Sequence, residues 1–174
     1  MSDPSERPPL EETHPHLTEF LAFLSEVSKE SDRGVVLICC SFVDELLRRT
    51  LAAFFIESEG RRAMLEGFNA PLGTFSSRIA ACYTLGLISV AEYKECEIFR
   101  RVRNRFAHEI HISVEDQTLA DLSKNLSFAA PDYGDVVVTV RGRFTSAGAA
   151  LILSLVNRPH YVSVKRRQYS EWPP

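Results

Sequence analysis

Apolar residues recur along most of the chain at intervals of three and four, the spacing that places side chains on one face of an α-helix. Ser31 or Asp32 can cap the second of these helices, and Ser89 with Glu92 three residues later forms a capping box. Gly86 and Pro159 favour helix ends. Together these patterns predict helices over about 15–29, 32–58, 74–85, 90–108, 113–126 and 143–157, with a connection over 60–73.

The order of these elements predicts the fold class. Helices follow one another without alternating with strands, which is typical of an all-α bundle, here of five or six helices. The β-branched run 136–140 favours a short extended segment. We expect residues 1–14 to form a disordered N-terminal tail, 15–158 the helical domain and 159–174 a basic C-terminal tail.

Composition and the N-terminal sequence indicate where in the cell the protein acts. The 174 residues suit one domain, and a hydrophobic share of 45% is too high for a disordered chain. The N-terminus has no signal-peptide pattern, and no apolar run is long enough to cross a bilayer. The four cysteines contain no CxxC pair and are predicted to be reduced, buried thiols: Cys39, Cys40, Cys82 and Cys96. These features predict a cytoplasmic protein without a membrane partner.

Charge is distributed unevenly along the chain. The first 60 residues carry twelve acidic and five basic side chains, whereas the rest of the chain has a basic excess. Four arginines crowd near the end of the 90–108 helix: Arg100, Arg101, Arg103 and Arg105. A locally basic surface on an acidic protein indicates an anionic ligand.

The stretch from Arg103 to His108 carries the most plausible chemistry. A histidine can transfer a proton near neutral pH, and an arginine can neutralise charge that develops on a phosphate, which are the requirements of metal-free RNA cleavage. On an ideal helix Asn104 and His108 share a face, but Arg103 and His108 lie roughly 140° apart around the axis. Spacing alone favours a structural alternative, in which His108 interacts with the helix dipole and the arginines are solvated.

Two stretches carry a resemblance to known families. The RNRFAH sequence at 103–108 resembles the R-N-x3-H signature of the HEPN superfamily, helical proteins that include many RNases. The segment PLGTFSSRI at 71–79, followed by YTLGLI at 83–88, is similar to the mannitol operon repressor family. In the branch that gives this family its name, acidic residues replace Asn104 and Arg105, so a role specific to mannitol is not expected.

The resemblance implies a homodimer whose two subunits form an RNA-binding cleft. His108 would be the acid and base, Arg103 would stabilise the phosphate and Asn104 would orient it. Arg100, Arg101, Arg105 and Arg78 would bind RNA. The alternative is a non-catalytic transcriptional regulator that acts through protein contacts.

Other chemistries find little support in the sequence. His108 and His111 lack a third ligand nearby, so we expect neither a metal nor a cofactor. Direct DNA binding is not expected. The predicted helix 90–108 would have to enter the major groove of DNA, but its apolar residues are needed for the protein core. For Arg78, the spacing favours an ion pair with an acid such as Glu45 over anion binding.

Overall fold

The computed structural model describes residues 13–109, 116–135 and 137–173, apart from the side chain of His16. Within these ranges the chain forms α-helices and one short 3-10 helix, Pro15–Leu17, and no β-strand. The α-helices are α1 (Thr18–Val27), α2 (Asp32–Phe54), α3 (Glu59–Leu65), α4 (Phe75–Thr84), α5 (Val90–His108), α6 (Gln117–Lys124), α7 (Val140–Leu155) and α8 (Arg158–Ser163). The predicted all-α bundle is confirmed, and none of these helices is long and apolar enough to cross a membrane.

The helix α2 lies at the centre of the bundle. It packs against α1, α4, α5, α7 and α8, and its buried side chains form one broad face, about 160° wide around the helix axis. Val43, Leu46 and Leu47 are completely buried. Ser31 begins the helix as predicted, since its hydroxyl accepts a hydrogen bond from the amide of Gly34 at 3.2 Å. The core is therefore built around one central helix.

The helix α5 has the bounds that the sequence predicts. The Ser89 hydroxyl accepts from the Glu92 amide at 3.2 Å, and the Glu92 carboxylate accepts from the Ser89 amide at 2.7 Å, which completes the capping box. At the other end, the guanidinium of Arg33 on α2 donates to the carbonyls of Phe106 and Glu109. The end of α5 that carries the candidate residues is thus fixed against the start of α2.

Two helices lie where the sequence predicts none. The connection predicted over 60–73 contains most of α3, a helix too short to show periodicity, with Leu65 as its buried side chain. The region after Pro159, predicted as a tail, contains α8. Pro159 lies in the first turn of α8, where its missing amide costs no helical hydrogen bond, so this proline starts a helix as well as ending one.

The segment near 136–140 is only partly extended. Residues 137–139 belong to neither a helix nor a strand, and Val140 is the first residue of α7. Thr139 has extended backbone angles and caps α7 by accepting from the Gly142 amide at 3.0 Å. Val136 and the predicted tail residues 1–12 lie outside the described residues.

Candidate functional site

The three predicted catalytic residues lie near the C-terminal end of α5. Arg103 and His108 are exposed and Asn104 is half-buried. The helix continues without interruption to His108. None of these three side chains forms a hydrogen bond or an ion pair with any residue that the structure describes. The candidate residues are therefore accessible but are not held in a defined arrangement.

One chain does not bring Arg103 and His108 onto a common face. Because α5 is a regular helix, the five-residue separation leaves the two side chains roughly 140° apart around its axis. Arg103 lies on the side of α5 that faces α2, close enough to the Cys40 thiol to influence it electrostatically. Burial, and to a smaller extent Cys39, nevertheless raise the pKa of Cys40 well above its usual value.

Two of the predicted RNA-binding arginines on α5 are already paired with carboxylates. Arg100 donates to Glu97 at 2.8 and 3.1 Å. Arg105 donates to Glu109 at 3.0 and 3.2 Å, and its Nη1 lies 3.4 Å from Asp116. A phosphate would have to compete with these carboxylates. Arg101 is exposed and pairs with no residue in the described ranges.

Arg78 lies at the junction of α2, α4 and the connection before α4. Its guanidinium donates to Asp44 at 2.8 Å and to the carbonyl of Leu72 at 2.9 Å, and its side chain is only 11% exposed. The expected ion pair of Arg78 with an acid is confirmed, but the acid is Asp44 and not Glu45, which accepts from Arg48 at 2.7 Å. The geometry of Arg78 is that of a residue that joins structural elements.

No metal site is found among the residues that the structure describes. These residues contain no group of three or more His, Cys, Asp or Glu side chains that could hold an ion, and His111 lies outside them. The predicted buried thiols are confirmed: all four cysteines are buried and free. Burial raises the pKa of Cys39 and of Cys82 to about 12, so both thiols remain protonated at neutral pH.

A groove of about 810 Å³ that the sequence does not predict lies between α5 and the end of α6. Its lining is partly apolar and partly charged: Val90, Ala91, Tyr93, Lys94, Glu97, Ile98, Arg101, Leu122, Asn125 and Ser127. One feature of the sequence indicates part of this groove. Lys94, Arg101 and His108 recur at seven-residue intervals, which places them along one face of α5.

The fold and the candidate site together define the structural class of this protein. This chain is a helical bundle around a central helix, with a partly basic helix, α5, whose exposed side chains Arg101, Arg103 and His108 form no hydrogen bond or ion pair within the described ranges. No protein-family model matches the chain, and no curated protein matches it. A solved structure does: the X-ray structure of the MtlR–HPr complex from Escherichia coli.

The match to this complex extends over nearly the whole bundle. It covers 86% of this chain and 99% of the matched chain, with a TM-score of 0.61 and 17% sequence identity. The likeness confirms an MtlR-like fold, which is the fold that the resemblance to the mannitol operon repressor family implied. At this identity it defines the fold alone.

Proposed function

We propose that this chain is a non-catalytic regulator that acts by binding another protein. The observation that carries the proposal is the likeness to MtlR, a protein of the same fold that was solved in complex with the protein HPr. The shared fold covers 86% of this chain. Because a shared fold does not by itself imply a shared function, this likeness is an analogy, and the geometry of α5 has to support it.

The geometry of α5 supports a binding role over a catalytic one. General acid–base catalysis requires the acid or base and the charge-stabilising group to reach the same reacting atoms. In one chain Arg103 and His108 point to different sides of α5. Arg100 and Arg105 are engaged with carboxylates. The exposed side chains of this helix are better suited to contact a partner than to cleave a phosphodiester.

The test separates protein binding from binding mediated by RNA. The tagged chain is used to capture proteins from an extract of its source organism, with and without RNase treatment. Captured proteins are then purified separately and titrated against the chain by calorimetry. We expect at least one saturable, stoichiometric complex that survives RNase treatment. If every captured protein is lost after RNase treatment, the proposal is wrong.

A second candidate function is RNA binding and metal-free RNA cleavage across a homodimer. It is favoured by one observation: Arg103, Asn104 and His108 are all without partners in the ranges that the structure describes. A second subunit could place its own Arg103 beside His108, which would overcome their separation within one chain. This candidate therefore requires a dimer in solution, which light scattering over a range of concentrations would detect.

Cleavage of labelled RNA by wild type and variants tests this candidate. If it holds, His108→Ala and Arg103→Ala each reduce the rate by roughly 10²- to 10⁴-fold, and EDTA has no effect. Arg101→Ala mainly weakens RNA binding and its dependence on salt. Under our main proposal, wild type and all three variants leave RNA equally intact.

A further inference from the structure

Two cations, Lys94 and Arg101, line the groove between α5 and α6. Lys94 and Arg101 are both exposed, and neither forms a hydrogen bond or an ion pair within the described ranges. They lie two turns apart on one face of α5, about 10 Å along its axis. Among the described residues that line the groove the one acid is Glu97, which Arg100 binds at 2.8 Å and whose pKa Arg101 also lowers electrostatically. The groove therefore has a net positive charge.

The surface between these cations is apolar. Ile98 of α5 and Leu122 of α6 are half-buried and line the groove, while Asn125 and Ser127 add polar groups at the other wall. An occupant with one or two apolar side chains would bury them against Ile98 and Leu122, and this burial would favour binding. The groove is thus suited to a segment that carries both apolar and charged groups.

A buried carboxylate holds the far wall of the groove in place. Glu95 is completely buried below it, and its Oε1 accepts from the amide and hydroxyl of Ser127 and from the amide of Phe128. These bonds tie the segment after α6 to α5. Because the wall is already ordered, an occupant would bind without the entropic cost of fixing it.

We propose that this groove is the partner-binding surface, and that it binds an acidic protein segment with apolar side chains. The inference rests on the proposed function of protein binding and adds the location and the chemistry of the partner. Carboxylates of the segment pair with Lys94 and Arg101, and its apolar side chains cover Ile98 and Leu122. Complementary charge steers the encounter and selects the partner, whereas apolar burial provides most of the affinity.

An RNA occupant fits the groove less well than an acidic protein segment. The aromatic side chain in the groove, Tyr93, stacks on Tyr83 with ring centroids 4.3 Å apart, so one face of its ring is unavailable to a base. The neighbouring guanidinium of Arg100 is bound to Glu97. The two exposed cations of the groove, Lys94 and Arg101, provide few phosphate contacts, and RNA affinity depends on the number of such contacts.

Site-specific photocrosslinking tests the location and the partner together. A p-benzoyl-phenylalanine is placed at Ala91, an exposed position in the groove, and at the fully exposed Phe68 as a control on another surface. The full-length protein is irradiated in cells of its source organism, and crosslinked peptides are sequenced. The charge-reversal variants Lys94→Glu and Arg101→Glu are compared with Lys29→Glu, which reverses an exposed lysine at the end of α1.

We expect Ala91 to give an adduct whose crosslinked peptide is rich in Asp and Glu. Either reversal in the groove should reduce its yield at least fivefold, and Lys29→Glu should leave it unchanged. Adducts with a protein from Phe68 but not from Ala91 would overturn the groove inference and leave the proposed function standing. An RNA adduct at Ala91 would overturn the inference in favour of RNA. The absence of protein adducts at both positions would overturn the inference and count against the proposed function.

Discussion

Arg158 on α8 donates to Glu92 on α5, with 2.6 Å between Nη2 and Oε1. Glu92 is only 5% exposed, and the same carboxylate accepts from the Ser89 amide at 2.7 Å and from the Ser154 hydroxyl at 3.2 Å. One side chain therefore completes the capping box of α5 and ties α7 and α8 to its first turn. The short helix α8, Arg158–Ser163, is thereby joined to the start of α5.

Removal of this ion pair should lower the stability of the fold. In Arg158→Ala, Glu92 stays buried and loses its charged partner, which should lower the free energy of unfolding by about 3 kcal/mol. Urea unfolding followed by circular dichroism measures the change. The control is Lys124→Ala, which breaks an exposed pair with Asp121 and should cost less than about 1 kcal/mol. Equal losses of unfolding free energy in the two variants would show that the ion pair between Arg158 and Glu92 does not stabilise the fold more than an exposed pair does.

The same carboxylate should make stability depend on pH. Burial raises the pKa of Glu92, but the hydrogen bonds from Ser89 and Arg158 outweigh burial and lower it overall. A group whose pKa is lower in the folded state stabilises the fold above its unfolded pKa, and this contribution is lost as the pH falls through the folded value. Between pH 6 and 3, wild type should therefore lose more stability than Glu92→Gln. Parallel pH profiles would contradict this assignment.

The four thiols should not react in the native protein. All are buried, and burial raises the pKa of each, to about 12 for Cys39 and for Cys82. Ellman's reagent at pH 8 should detect no rapidly reacting thiol in buffer and four in denaturant. The urea midpoint should be the same with and without reductant. A lower midpoint in reductant would indicate a disulfide and refute this prediction.

Local signals in the sequence predicted the long helices well. The capping box at Ser89 and Glu92 gave the start of α5, and the spacing of apolar residues gave the bundle. The short helices α3 and α8 were missed because helical periodicity needs more turns than they contain. A proline is compatible both with the end of one helix and with the first turn of the next. The residues around Pro159 therefore do not reveal that α8 follows, whereas the packing of α8 against α2 does.

The candidate site was harder to predict than the fold, since ion pairing depends on tertiary contacts. The sequence shows a cluster of arginines but not that Arg100 is held by Glu97, or that Arg78 binds Asp44 instead of Glu45. It shows Glu95 as one more acid on a charged helix, although the residue is completely buried. The separation of Arg103 and His108 around α5 follows from helix geometry and was predictable.

Glu95 offers a test of how the groove wall is held. Its Oε1 accepts from two Ser127 groups and the Phe128 amide, whereas its buried Oε2 has no hydrogen-bond partner within the described ranges. Glu95→Ala leaves these donors unsatisfied and creates a cavity, so it should cost about 3 kcal/mol of stability. Glu95→Gln retains an acceptor oxygen for the three donors and should therefore cost less than Glu95→Ala, since no cation pairs with Glu95 among the described residues.

Hydrogen exchange shows whether these losses arise at the groove wall. In Glu95→Ala the amides of Ser127 and Phe128 should exchange at least tenfold faster relative to amides in the middle of α2, whereas Glu95→Gln should retain their protection. Ser127→Ala is the matched control, since it removes the hydroxyl donor and keeps both amide bonds to Glu95. If Glu95→Gln destabilises the fold as much as Glu95→Ala, the negative charge rather than the acceptor oxygen holds the wall.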